Sequence, residues 1–243
     1  MPNEHPRLTR KLYNVILRYT LFPEDTMTHE QIMRDTIYQT HKMGLVEGGN
    51  RTTSRANYLH GNVVKYLEHH SPNLYTKYNV YTDKVIKDSY ANKFEIDILL
   101  CDKVTDVPIT AILVKSIISS YNKNRMNYAN TTLGETFRIL GTNPDMNIIF
   151  LTMVPHQAAV YKNDGTLRHM ETVDSVNFDS TEMQTKLRNI SSKLVTNVYH
   201  TKVDYDIVNV DYSSKTQYLN TLTPDKIINI HLTTLNTHLD KTL

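Results

Sequence analysis

An α/β fold of the α+β kind, with helices flanking a central mixed β-sheet, is predicted by three features of the sequence. Two aliphatic runs, residues 94–100 and 109–116, bracket a polar stretch centred on Thr105 and read as an antiparallel hairpin. An amphipathic stretch over about 125–140 follows the second run. After it comes a nearly continuous apolar run, 147–154, containing Ile148, Ile149, Phe150, Leu151 and Met153. Such a run reads as a buried strand, and a strand placed after a helix implies a crossover and a mixed sheet.

Taken in order, the elements begin with a basic helix over 7–21, where Arg7, Arg10, Lys11 and Arg18 alternate with Leu12, Val15, Ile16 and Tyr19. Thr28-His29-Glu30-Gln31 is a capping box opening a helix that Gly44 should close. Residues 47–50, Glu-Gly-Gly-Asn, read as a turn. A helix over about 55–70 carries Ala56, Leu59, Val63, Tyr66 and Leu67 on one face, with Glu68 at the flank, and Ser71-Pro72-Asn73 ends it. Residues 77–88 read as a strand, with Tyr78, Val80 and Ile86 on one side, which gives the hairpin a third antiparallel strand.

In the helix after the hairpin, Met126, Ala129, Leu133, Phe137 and Leu140 form the expected packed stripe, leaving Tyr128, Thr131, Glu135 and Arg138 off it. Gly141-Thr142-Asn143-Pro144 stops that helix. Short strands are expected at 157–161 and 167–173 around Asn163-Asp164-Gly165. A helical stripe follows with Met183, Leu187, Ile190, Leu194 and Val198, then a strand near 205–212. A last helix is expected from Thr223 and Pro224, carrying Ile228, Leu232, Leu235 and Leu239. With no repeat, linker or low-complexity tract, 1–243 reads as a single domain. Its core spans about 55–162, with helical extensions at 1–54 and 180–243.

Composition narrows the function classes. Hydrophobic residues make up 40% with only 7 Gly and 8 Pro, which is globular composition. A single cysteine, Cys101, excludes a disulfide framework and a cysteine-based zinc site. No apolar run approaches the ~20 residues of a membrane span, and no signal-peptide core is present, so a soluble cytoplasmic protein is expected. Net charge is +2, too mildly basic to indicate a nucleic-acid partner alone. Phosphate loops, dinucleotide fingerprints, His-Glu-x-x-His and nucleophile elbows are absent, and the histidines show no ligand spacing.

Chemistry concentrates in the hairpin. With the turn near Thr105, strand partners sum to about 210, so Asp97 lies across from Leu113. Period-two alternation puts Glu95 and Asp97 on one face of the first strand and Leu113 and Lys115 on the same side of the second. An acid and a lysine thus converge diagonally. That pair could serve as an ion pair or as the base of a metal-dependent phosphodiesterase site.

At these residues the hairpin resembles the core of the PD-(D/E)xK nuclease superfamily, which includes most type II restriction endonucleases. Asp97 and Lys115 match the pattern's Asp and Lys, Ile96 stands at its Pro, and Leu113 stands where its second acid belongs. The resemblance covers about residues 62–138 and implies a restriction-endonuclease-like sheet. Some relatives move the second acid to the following helix, which here implies Glu135; Thr132-Leu133-Gly134-Glu135 also fits a capping box, and Glu95 is the next choice. The family further implies a metal-ligand carbonyl from Val114 and a helix acid, here Glu68. It implies Mg²⁺ as cofactor (Mn²⁺ as substitute), a homodimer or larger assembly on double-stranded DNA, a companion methyltransferase, and a prokaryotic or phage source.

Next to this pattern lies a polar segment: Ser119, Ser120, Asn122, Lys123, Asn124, Arg125, Asn127 and Asn130, with Arg138 further along. Amides read adenine, arginine reads guanine, and lysine or serine holds phosphate, so the segment is expected to contact DNA; a plain polar surface is the alternative. A sequence-specific endonuclease is the leading expectation. A structure-specific repair nuclease and a non-catalytic DNA-binding module stand beside it.

Overall fold

The computed structural model describes residues 27–46, 53–88, 92–173 and 197–243. Helices α1 (His29–Val46) and α2 (Thr53–His70) and the short α3 (Leu74–Lys77) lead into three antiparallel strands, β1 (Tyr78–Lys87), β2 (Lys93–Asp102) and β3 (Pro108–Ser116). Helix α4 (Tyr121–Thr142) crosses over to β4 (Asn147–Pro155), parallel to β3. Strands β5 (Gln157–Tyr161) and β6 (Leu167–Thr172) make a separate hairpin. Strand β7 (Val198–Ile207) then returns parallel to β4, and after α5 (Lys215–Thr221) the short β8 (Ile227–Ile228) pairs antiparallel with β7. Helix α6 (Thr233–Thr242) ends the chain. Among the described residues the sheet order is β1-β2-β3-β4-β7-β8, a mixed sheet flanked by helices.

Burial assigns the helices to faces. Met33 and Ile37 of α1, Leu59 and Tyr66 of α2, and Leu235 and Leu239 of α6 pack on Ile98, Ile112, Ile149 and Val203. On the opposite face, Ile139 of α4 packs with Leu99, Ala111, Leu113 and Phe150. Locally, Thr28 and Gln31 close the expected capping box: the Thr28 N–H donates to Gln31 Oε1 (2.7 Å) and the Gln31 N–H to Thr28 Oγ1 (3.2 Å). In the hairpin turn, Asp102 Oδ1 accepts from the Val104 and Thr105 N–H groups at 3.0 and 2.7 Å. The pairing Ile98↔Ile112 sets the register that the sequence implies.

Several expectations are corrected. Helix α1 runs past Gly44 to Val46. Helix α4 starts at Tyr121, and its buried stripe is Tyr121, Ala129, Thr132, Thr136 and Ile139, while Met126 and Phe137 are about half exposed. Threonines can take that face because their hydroxyls donate to carbonyls one turn back, Thr132 to Tyr128 (2.8 Å) and Thr136 to Thr132 (2.9 Å). The helix continues through Thr132, so no capping box forms there. Ile86 packs on the α4 side, away from Tyr78 and Val80, because Asp83 (φ 53°) inverts the alternation of β1.

The third parallel strand is Val198–Ile207, not 205–212; Asn209 (φ 54°) lies just beyond its end. The C-terminal part is therefore no helical extension, since it supplies β7. Thr223 and Pro224 open only a 3₁₀ turn (Pro224–Lys226), Ile228 is a strand residue, and the last helix begins at Thr233. The unforeseen α5 is capped by Ser214, whose Oγ accepts the Gln217 N–H at 3.1 Å. The basic helix at 7–21, the turn at 47–50 and the stripe from Met183 to Leu194 lie outside the described residues. No described helix is long and apolar enough to cross a membrane.

Candidate functional site

Asp97 stands where β2 leaves both neighbours. The β2–β3 ladder runs from Cys101↔Pro108 to Ile98↔Ile112 and stops one residue short of it. Its carboxylate takes over: Asp97 Oδ2 accepts the Val114 N–H at 2.7 Å. The N–H and C=O of a strand residue leave on the same side, so the Val114 carbonyl also opens toward Asp97. On the other side, Thr82↔Ile98 and Lys84↔Ile96 pair while Asp83 and Asp97 between them do not. Across this break the alternation inverts, Ile98 facing α1 and α2 and Ile96 facing α4. Irregularities of this kind re-aim side chains next to functional sites.

Lys115 projects from β3 on the α4 side, and its Nζ lies 3.0 Å from Glu135 Oε1 of α4. Both side chains are about a quarter exposed, at 26% and 25%, so the pair is open to solvent yet shielded. Burial raises the pKa of Glu135, and the negative charge of Asp97 adds to the rise. Lys115 and Arg138 pull the other way without cancelling it. The second oxygen, Oε2, is buried with no hydrogen-bond partner. Leu113 is 2% exposed in the core beneath α4, so the position two before the lysine is a packing site. Three elements, β2, β3 and α4, thus bring Asp97, Lys115 and Glu135 together.

The oxygens suited to a cation are Asp97 Oδ1, the orphaned Glu135 Oε2 and the Val114 carbonyl. Two carboxylates and a carbonyl fit Mg²⁺, which takes oxygen ligands and keeps several waters. Among the described residues no three or more His, Cys, Asp or Glu side chains are placed to hold a metal ion together, so a cation here would rest on two carboxylates, a backbone carbonyl and water.

Other residues fall elsewhere. Glu95 is exposed, paired through its backbone position with Val85. Glu68 accepts a hydrogen bond from the Tyr75 hydroxyl and lies two turns along α2, about 12 Å, from the residue of that helix nearest Asp97. That nearest residue is His60, which sequence spacing did not single out. Its Nδ1 lies 2.6 Å from Asp83 Oδ1 and its Nε2 3.8 Å from Asp97 Oδ1. The available signal was a histidine beside Leu59 on a buried helix face, where a polar ring requires a partner.

The polar segment is mostly helix, not loop. Ser119 and Ser120 precede α4, and Asn122, Lys123, Asn127 and Asn130 line its exposed first turns, with Arg125 in the same turns. The Asn124 amide donates to the Ser120 carbonyl at 3.0 Å. Arg138 is engaged within the protein: Nε donates to Asp88 Oδ2 at 3.1 Å, and the guanidinium lies 4.6 Å over the Phe94 ring.

No family model matches the chain, and no curated protein matches its sequence. Among solved structures, a chain of the DrdV–DNA complex determined by cryo-electron microscopy aligns with 67% of this chain and 96% of its own length. The sequence identity is 13% and the TM-score 0.31, so the chemistry of the site rests on its own geometry.

Proposed function

We propose that this protein is a metal-dependent DNA endonuclease of the type II restriction kind, with Asp97, Lys115 and Glu135 as its working residues. The observation that carries the reading is the Lys115–Glu135 contact at 3.0 Å. It brings an acid from α4 to the catalytic lysine and restores the carboxylate that Leu113 denies to β3.

Phosphodiester hydrolysis needs an activated water and neutralised charge at phosphorus. A divalent ion, when bound by Asp97, Glu135 and the Val114 carbonyl, supplies Lewis acidity for both. Lys115 holds the attacking water or the phosphate, and its bond to Glu135 fixes the ammonium in place beforehand. Asn122, Lys123, Asn127 and Asn130 are exposed polar residues in the first turns of α4, suited to contacts with bases and phosphates. Cutting both strands of a palindrome pairs two copies about a two-fold axis.

Incubation with mixed-sequence DNA and Mg²⁺, followed by sequencing of the ends, tests the reading. Recurrent ends within one motif support a restriction activity. Scattered or branch-specific ends support a structure-specific nuclease, and intact DNA that is nonetheless bound supports a non-catalytic module.

A further inference from the structure

We infer that Arg55, near the start of α2, seats a DNA backbone phosphate flanking the one being cut, its guanidinium meeting the phosphate oxygens as a fork. This rests on the nuclease reading of the Asp97 site and gives the substrate a fixed point outside that site.

Arg55 carries a charge that its surroundings leave unanswered. Its Nη1 is buried and has no hydrogen-bond partner. Burial lowers its pKa, and among the described residues the group acting against that fall is the Tyr128 phenol of α4, not a carboxylate. His41 of α1 lies near enough to respond to the guanidinium, yet it is neutral, and the Tyr205 and Tyr218 hydroxyls already engage both of its ring nitrogens. The first turn of α2 contains no acid. The positive end of the helix dipole disfavours a cation there as well. A guanidinium that is shielded, unpaired and at that end of a helix gains most from an anion brought from outside. Phosphate is the anion whose oxygens match the planar fork of an arginine.

Both helices that frame Arg55 lead to the candidate site. Arg55 precedes His60 by five residues of α2, about 7.5 Å along the helix. The Nε2 of His60 in turn lies 3.8 Å from Asp97 Oδ1. Tyr128 precedes Glu135 by seven residues, two turns of α4 and about 10 Å along the same face. A DNA strand advances about 3.4 Å per nucleotide, so those offsets correspond to two or three nucleotides. An arginine kept only for the packing of its stem would not need the charge at all.

The test uses the full chain in Ca²⁺ with a short mixed-sequence duplex and, separately, with inorganic phosphate. Arg55→Gln should weaken duplex binding by about tenfold or more and reduce the slope of log affinity against log salt by about one. Its melting temperature without DNA should stay at or above that of wild type, since an unpaired shielded charge is lost. Arg55→Lys keeps the charge but not the fork, so it should keep the slope and lose less affinity, and it serves as the test if Arg55→Gln folds poorly. Unchanged affinity in every variant that folds, alongside cleavage by wild type in Mg²⁺, overturns the role of Arg55 and leaves the nuclease reading standing. Inorganic phosphate binding that Arg55→Gln abolishes, with duplex binding unchanged, makes this a free-anion site and overturns the DNA assignment. A wild-type chain that binds no duplex overturns both.

Discussion

At the residue scale, the second acid is the informative position. Asp97 and Lys115 stand out in the sequence because each carries charge in an aliphatic run, whereas for the partner acid the sequence offers Glu135 and, next, Glu95 without deciding between them. Leu113 occupies its strand position, and only the packing of α4 shows that Glu135 reaches Lys115 while Glu95 faces solvent. Glu135→Ala is expected to lower cleavage by about 10²–10⁴-fold, whereas Glu95→Ala should leave it near wild type; initial rates on plasmid DNA measure both. Away from the site, His41 bridges two buried tyrosines, with Nε2 2.6 Å from the Tyr205 hydroxyl and Nδ1 3.0 Å from that of Tyr218. Burial, helped by the charge of Arg55, lowers its pKa to about 3. A depressed histidine contributes stability that is present above the unfolded value of 6.5 and lost as pH falls toward the folded value. Urea melts should therefore show stability falling by about 1.4 kcal/mol per pH unit below that point, with a shallower fall in His41→Gln.

At the element scale, the hairpin and its register followed from alternation and turn chemistry, since neither needs distant partners. The face of α4 did not follow. Counting apolar residues selects Met126 and Phe137, which are exposed, and passes over Thr132 and Thr136, whose hydroxyls are satisfied within the helix. The corrected face predicts that Ile139→Ala costs about 2–5 kcal/mol, while Phe137→Ser changes stability by about 0.5 kcal/mol or less. Thermal or denaturant melts of the two variants compare them directly. The break at Asp83 and Asp97 was equally hidden, because nothing in Tyr81-Thr82-Asp83-Lys84 marks a left-handed residue inside a strand.

For the whole molecule, the mixed sheet was foreseen from the strand–helix–strand order, but the place of the C-terminal segment was not. β7 alternates polar and apolar residues, with Val203 and Tyr205 buried between Lys202, Asp204 and Asp206, and its partner β4 lies some fifty residues earlier. Because β7 stands inside the sheet, a chain ending at residue 173 should show no cooperative unfolding transition by circular dichroism. The central claim concerns the three working residues together, and Lys115→Ala tests it most directly. DNA cleavage in Mg²⁺ and DNA binding in Ca²⁺ are measured side by side for this variant and the wild-type chain. Cleavage by wild type that vanishes in the variant, with binding retained, is the expected result; cleavage that survives the substitution, or none in either protein, contradicts it.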